Sequence, residues 1–204
     1  MADLGRAGVS RASWVSVQTS RDDVAGATPD FLLENDPVDV RRVAPDALVM
    51  RAVASARSAL WRGAHAVLAT LNARTRFRYT GLYRVESPLL RNVALFDREN
   101  PMLRAAGQCT PLRDTYCNIV SANALALAVA DAESDVRLIG HPARTSVLSY
   151  VGVPVRDRGG RVAGTLCHWD SRPRLAPAGE LLVLERVAEL LSPLIGAATE
   201  RADR

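Results

Sequence analysis

The side chains with the most evident chemistry are three cysteines, Cys109, Cys117 and Cys167, and a histidine, His168, that directly follows the last of them. A thiolate and an imidazole together suit zinc, haem or peroxide sensing. The cysteine count is odd and shows no CxxC spacing, so the pattern favours neither a disulfide framework nor a zinc ribbon. Cysteine is also among the most buried residue types, which makes inert packing the other interpretation. A thiol-based redox sensor using Cys117 and Cys167 stays open as an alternative.

Other catalytic signatures are missing from the sequence. The three histidines, His65, His141 and His168, show no HxxH or HExxH spacing, so we expect no metal site. There is no GxSxG elbow, P-loop, GxGxxG fingerprint or DxDxG calcium loop. The pattern gives no support to a hydrolase, kinase or dehydrogenase.

Composition indicates one soluble globular domain. The chain has 204 residues, of which 48% are apolar and 24% are charged. No apolar run approaches the ~18 residues of a membrane span, and Met1 is not followed by a secretory signal, so we expect a cytoplasmic protein that does not enter a membrane. All 26 basic residues are arginine. The densest ones, at 41–42 and 74–78, lie in no recognisable nucleic-acid-binding motif, and direct nucleic-acid binding is not expected.

Two amphipathic helices are predicted near the ends of the chain. Residues 1–44 hold Gly, Ser, Asp and Pro and are predicted to form a loosely structured arm before a domain at 45–200. From Asp46 to Leu71 apolar residues recur at steps of three and four, which predicts one long helix that begins at Pro45 or Asp46. A similar stripe near the C-terminus predicts a closing helix that Pro193 kinks.

Between these helices the pattern is that of strands. Residues 76–87 alternate in polarity, and residues 89–100 form their partner across a Ser87-Pro88 turn. Residues 147–156 and 161–170 make a second hairpin around a Gly-Gly turn. A short helix at 114–120 and a strand at 124–130 lie between the hairpins. This order predicts an α+β fold, with a central antiparallel sheet, terminal helices packed on one face and a pocket on the other.

Three sequence segments occur in an order that resembles the GAF domains of bacterial signalling proteins. They are "PLRDTYCNIV", "SYVGVPV" and "GGRVAGTLCHWD". The resemblance covers residues 46–191 and implies a GAF/PAS-like sheet. It also implies a non-catalytic sensory domain that binds a small molecule of unknown identity, forms a homodimer and relays a signal through its terminal helices to an output domain or partner protein. No kinase, cyclase or DNA-binding segment is visible, so we expect a stand-alone regulator or a sensory piece of a longer protein.

Specialised GAF branches give three sharper alternatives. Free methionine sulfoxide reductases use cysteines in loops around the pocket, and Cys109 and Cys117 lie in such a region, but residues 135–149 contain no cysteine where that branch has its nucleophile. Bilin-binding domains carry a Cys-His pair before the strand that resembles "SYVGVPV", whereas Cys167 and His168 follow it. The Asn-Lys signature of cyclic-nucleotide-binding domains is absent, since the chain has no lysine. The reductase stays open as the enzymatic alternative.

The predicted pocket lies between the open face of the sheet and the loops at 108–118 and 131–149. Arg144 is expected to pair with an anionic group of the ligand. An aromatic side chain, Tyr150 or Trp169, is expected to stack on a ring. The full set of predicted ligand-binding residues is Tyr116, Cys117, Arg144, Tyr150, Thr165, Cys167 and Trp169.

Overall fold

The computed structural model describes residues 40–196. Most of the predicted arm at 1–44, and residues 197–204, lie outside the described residues. The helices are α1 (Val40–Ala59), α2 (Ala64–Asn72), α3 (Tyr116–Asn123) and α4 (Glu180–Gly196), and the strands are β1 (Tyr79–Glu86), β2 (Leu89–Asp97), β3 (Cys109–Pro111), β4 (Leu127–Val129), β5 (Ser149–Arg156) and β6 (Val162–Asp170). None of the helices in the described range is long and apolar enough to span a bilayer.

One six-stranded sheet runs through the domain in the order β3-β2-β1-β6-β5-β4. Every neighbouring pair is antiparallel. The two predicted hairpins, β1 with β2 and β5 with β6, are confirmed, and pairing of β1 with β6 joins them at the centre of the sheet. The predicted α+β class is therefore correct. The three-residue edge strand β3 was not predicted, because so short a segment carries no alternating pattern.

The main hydrophobic core lies between the sheet and three helices, α1, α2 and α4. We call this side of the sheet the helix face. Its strand residues include Leu82, Val151, Val153 and Leu166, all fully buried against apolar side chains of the helices. Burial of this apolar area is the dominant stabilising contribution to the fold. The predicted placement of the terminal helices on one face is confirmed.

The prediction of one long helix from Pro45 or Asp46 to Leu71 is wrong in two respects: the observed helix begins earlier, and it is broken into α1 and α2. The observed helix begins at Val40, five residues before Pro45. It ends at Ala59, and a short 3₁₀ turn leads to Gly63, where the backbone adopts φ = 90°. A side chain is strained at that φ angle, so glycine allows the break. The chain then reverses into α2, which packs on β1 and β2.

A buried polar network crosses the helix face and fixes the start of α4. His168 Nδ1 lies 2.6 Å from the Thr80 hydroxyl, and His168 Nε2 lies 3.2 Å from Glu180 Oε1. The Thr80 hydroxyl accepts a hydrogen bond from Asn72 Nδ2, so its own hydrogen is available to His168 Nδ1. This leaves the Nε2 hydrogen to donate to Glu180, which also accepts from Arg74 at 3.3 Å. Four segments of the chain are joined in this way.

Removing the carboxylate of Glu180 should destabilise the fold, because it leaves His168 and Arg74 without their shared acceptor. We expect Glu180→Ala to lower the free energy of unfolding by about 3 kcal/mol. Urea unfolding followed by far-UV circular dichroism measures the change. Glu189→Ala, on the exposed side of the same helix, is the control and should stay within about 0.5 kcal/mol of the parent chain. Equal unfolding midpoints for the two variants would contradict this role.

Candidate functional site

Consecutive residues of β6 point to opposite faces of the sheet, and this separates Cys167 from His168. His168 lies on the helix face, in the network with Glu180. Cys167 lies on the opposite side, which we call the cavity face. The interpretation that joined His168 to the two thiols in one redox or metal site is therefore wrong. Within residues 40–196, no three His, Cys, Asp or Glu side chains cluster closely enough to hold a metal ion.

Two glycines flank Cys167 on the cavity face. Gly81 of β1 and Gly152 of β5 are its register partners on the neighbouring strands. A Cβ atom at Gly81 would overlap the ring of Tyr83, and one at Gly152 would overlap the hydroxyl end of Tyr150. The Tyr83 ring therefore lies over Gly81, and the Tyr150 ring lies over Gly152. The glycines leave room for the two rings to lie on the sheet beside the Cys167 thiol.

Helix α3 covers this part of the sheet and completes a second, smaller core. Tyr116, the first residue of α3, donates a hydrogen bond from its hydroxyl to the Val147 carbonyl at 3.2 Å. Its ring meets Tyr150 edge-on, with 5.6 Å between the ring centroids, and His141 with 4.8 Å. These contacts hold the helix above the sheet and attach it to the loop before β5.

A cavity of about 230 Å³ remains between α3, this loop and the sheet. Five of the predicted ligand-binding residues line it, namely Tyr116, Cys117, Tyr150, Cys167 and Trp169. The other lining residues are Tyr83, Leu90, Thr110, Asp114, Thr115, Ala143, Ser146 and Val147. The location predicted from the loops at 108–118 and 131–149 thus agrees with the position of the cavity.

Two of the predicted site residues do not line the cavity. Arg144 donates hydrogen bonds from its guanidinium to the carbonyls of Ala132 and Glu133, so it braces the preceding loop. The structure does not bring it to the cavity as an anion-binding group. Thr165 is fully buried in β6. Its hydroxyl contacts the Cys117 thiol, and it is not among the residues that line the cavity.

Tyr83 is the largest lining residue that the sequence analysis missed. Trp169 Nε1 donates a hydrogen bond to the Tyr83 hydroxyl at 3.2 Å, and Tyr79 stacks on the Trp169 ring with 3.8 Å between centroids. Burial raises the pKa of Tyr83 well above its usual value, so its hydroxyl is neutral. The alternation of Tyr79, Gly81 and Tyr83 along β1 was the signal that places Tyr83 on the same face as the cavity.

The two cavity thiols have different environments. Cys117 is the second residue of α3, and its Sγ lies 3.5 Å from the Tyr150 hydroxyl. Hydrogen bonding from Cys167, then from Thr165 and Tyr150, lowers the pKa of Cys117 despite its burial. Burial raises the pKa of Cys167 well above its ordinary value. Of the two environments, that of Cys117 is the one that favours a thiolate.

Adding a methyl group at Gly152 should disturb the cavity. A Cβ there would lie 2.7 Å from the Cys167 Cβ and would push the Tyr150 ring off the sheet. We expect Gly152→Ala to lower the free energy of unfolding by about 1–3 kcal/mol and to alter the near-UV circular dichroism of the tyrosines. Gly159→Ala, in the exposed β5–β6 turn, is the control, because its Cβ would meet only Asp157 Oδ1 at 3.2 Å. An unchanged stability and spectrum in Gly152→Ala would contradict the packing of Tyr150 over this glycine.

Comparisons with known proteins bear on the fold. No protein-family profile matches the chain, and no curated protein matches it in sequence. Among solved structures, the GAF domain of a phosphoenolpyruvate-protein phosphotransferase from Acinetobacter aligns with a TM-score of 0.55 at 18% identity, over 79% of this chain and 98% of its own. A type II free methionine-R-sulfoxide reductase from Thermoplasma acidophilum aligns with a TM-score of 0.51 at 20% identity, over 72% and 96%.

A third similar structure comes from a phytochrome. The chromophore-binding domain of phytochrome P1 from Stigmatella aurantiaca aligns with a TM-score of 0.59 at 13% identity, over 79% of this chain and 63% of its own. The similar structures include sensory and enzymatic proteins. At such low sequence identities, the alignments establish the architecture alone. The six-stranded antiparallel sheet with the four helices of residues 40–196 matches the fold of these GAF-like structures. The chain therefore has a GAF-like fold.

Proposed function

We propose that this chain is a non-catalytic sensory domain that binds a small molecule in the cavity between α3 and the sheet. The observation that carries the proposal is the cavity itself, which is lined by aromatic side chains and closed on one side by the strands. Concave, mainly apolar sites with a few polar groups are the usual form of small-molecule sites. A dry cavity of about 150 Å³ is known to hold benzene. A volume of about 230 Å³ thus suits a single ring with a short substituent.

The position of α4 supports a path for a signal. The floor of the cavity includes Tyr150 of β5, whereas its neighbours Val151 and Val153 contact the helices on the other face. Helix α4 packs directly on β5 and β6. A ligand that shifts the cavity floor would therefore act on the packing of α4 through a single layer of strands. An output domain or partner protein that contacts α4 would then receive the change.

A homodimer through the terminal helices stays a prediction. Helices α1 and α4 pack against each other on the helix face. Met50 of α1 is 67% exposed, and Leu194 of α4 is 41% exposed, so both helices keep apolar side chains at the surface after packing. Such surfaces are typical of protein contacts, and a twofold pairing of the two helices would cover them.

Blocking the mouth of the cavity tests the binding proposal. Thr110 is an exposed lining residue on the edge strand β3, so Thr110→Trp fills the opening without disturbing the core. With indole as the probe, we expect the thermal unfolding midpoint of the parent chain to rise by about 2–4 °C and that of Thr110→Trp to stay unchanged. Thr145→Trp, an exposed threonine outside the lining, is the control and should respond as the parent chain does. No shift in the parent chain, or an equal shift in Thr110→Trp, would contradict binding in this cavity.

A thiol-based redox sensor is the second candidate, and the pairing of Cys117 with Cys167 in the cavity wall favours it. In this scheme the Cys117 thiolate attacks one oxygen of hydrogen peroxide, and its sulfur becomes a sulfenic acid as hydroxide leaves and takes up a proton to form water. The Cys167 thiol then attacks that sulfur and gives up its proton, and a second water leaves as the disulfide forms. Two thiols are thereby oxidised by two electrons, and one peroxide is reduced to two waters.

The redox candidate is tested on a Cys109→Ser background, since Cys109 is an exposed thiol that would react independently. If it is correct, one equivalent of peroxide removes two hydrogens from the intact mass, and peptide mapping finds a Cys117–Cys167 disulfide. Cys117→Ser should then leave Cys167 unoxidised, whereas Cys167→Ser should stop at the sulfenic acid on Cys117, which dimedone traps. Slow oxidation of both thiols without a disulfide would rule out the sensor. Thiol-dependent consumption of free methionine-R-sulfoxide would instead favour the reductase and contradict a non-catalytic domain.

A further inference from the structure

The polar atoms of the cavity lining are mostly used within the protein. The hydroxyls of Tyr83, Tyr116 and Tyr150 interact with Trp169, the Val147 carbonyl and the Cys117 thiol respectively. Tyr116 and Tyr150 therefore offer a ligand mainly the surfaces of their rings, whereas the Tyr83 hydroxyl accepts from Trp169 and keeps its own hydrogen.

Two of the smaller lining hydroxyls are engaged in the same way. Thr115 donates to the Leu112 carbonyl at 2.8 Å, and Ser146 donates to the Ala143 carbonyl at 3.3 Å. Each hydroxyl carries a single hydrogen, so neither has a hydrogen left for a ligand in this arrangement. They remain available as acceptors.

Asp114 is the one charged residue in the lining of this cavity. Its partner Arg113 lies at 3.5 Å. The Asp114 side chain is 38% exposed and the Arg113 side chain 85%, so their attraction is largely screened by water. Arg144, which the sequence analysis assigned to an anionic group of the ligand, donates instead to the carbonyls of Ala132 and Glu133. The cavity lining thus combines one carboxylate and several hydroxyls with aromatic rings, and among the residues that the structure describes it includes no cationic side chain.

This distribution discriminates between ligands by charge. An anion in the cavity would lose hydration, would meet no cationic side chain of the described lining and would lie near the Asp114 carboxylate. An ammonium group would gain that carboxylate, the free lone pairs of the hydroxyls and the negative faces of the aromatic rings. The arrangement of aromatic walls with one carboxylate therefore favours an organic cation.

We propose that the cavity recognises a small organic amine, in which a single apolar ring lies among Tyr116, Tyr150 and Trp169 and the ammonium group pairs with Asp114. The volume of about 230 Å³ limits the apolar part to one ring with a short chain. This inference rests on the proposed binding function and names the chemical class of its ligand. It replaces the anionic group that the sequence predicted as the partner of Arg144.

Three probes of one shape and different charge test the inference: 2-phenylethylamine, 2-phenylethanol and phenylacetate. Isothermal titration calorimetry at neutral pH should show the amine binding about tenfold more tightly than the alcohol, and phenylacetate binding more weakly than both. Asp114→Asn should reduce the ratio of amine to alcohol affinity to about one. Glu133→Gln removes an exposed carboxylate outside the lining and should leave that ratio unchanged.

The possible outcomes separate this inference from the proposed function. Phenylacetate affinity equal to or above that of the amine would overturn it, and so would an amine preference that survives Asp114→Asn. In either case, the proposed binding function would still be supported if indole binds the parent chain and does not bind Thr110→Trp. If none of the three probes binds and indole does not bind either, both proposals are wrong.

Discussion

The cavity face depends on the absence of side chains at Gly81 and Gly152. Both glycines neighbour Cys167 across the sheet, and the rings of Tyr83 and Tyr150 occupy the space above them. Larger residues at these positions would raise the tyrosines off the strands and into the cavity. Because the rings lie low, α3 can cover the sheet and still leave room beneath it. The shape of the site is therefore set by two positions that carry no functional group.

The alternation of β6 gives the two faces different tasks. On the helix face, His168 and Glu180 join β6 to the start of α4 within a fully buried network. On the cavity face, Cys167 and Trp169 contribute to the wall of the site. Breaking a buried pair of this kind leaves an uncompensated polar group, so the pair holds α4 against β6 in one arrangement. The rigid helix face thus supports a cavity face whose surface is free to serve a ligand.

Much of this architecture follows from the sequence because its signals are local. Alternating polarity and turn residues located both hairpins, and Tyr150, Cys167 and Trp169, which the sequence analysis predicted as ligand-binding residues, line the cavity. The break at Gly63 was missed, since a glycine within an apolar helical pattern does not show whether its φ angle is positive. Arg144 was given the wrong environment because the carbonyls of Ala132 and Glu133 come near it only in the folded loop. Asp114 was not predicted as a site residue, because only the folded structure brings its carboxylate together with the aromatic residues of the lining.

The central claim is that the space between α3 and the sheet is a binding site for a small molecule with an apolar ring. The most direct test is a nuclear Overhauser experiment on the protein with bound 2-phenylethylamine. The account predicts cross-peaks from the ligand ring to ring protons of Tyr116, Tyr150 and Trp169, and from its aminoethyl chain to the β-protons of Asp114. Cross-peaks confined to residues outside this lining would contradict the account.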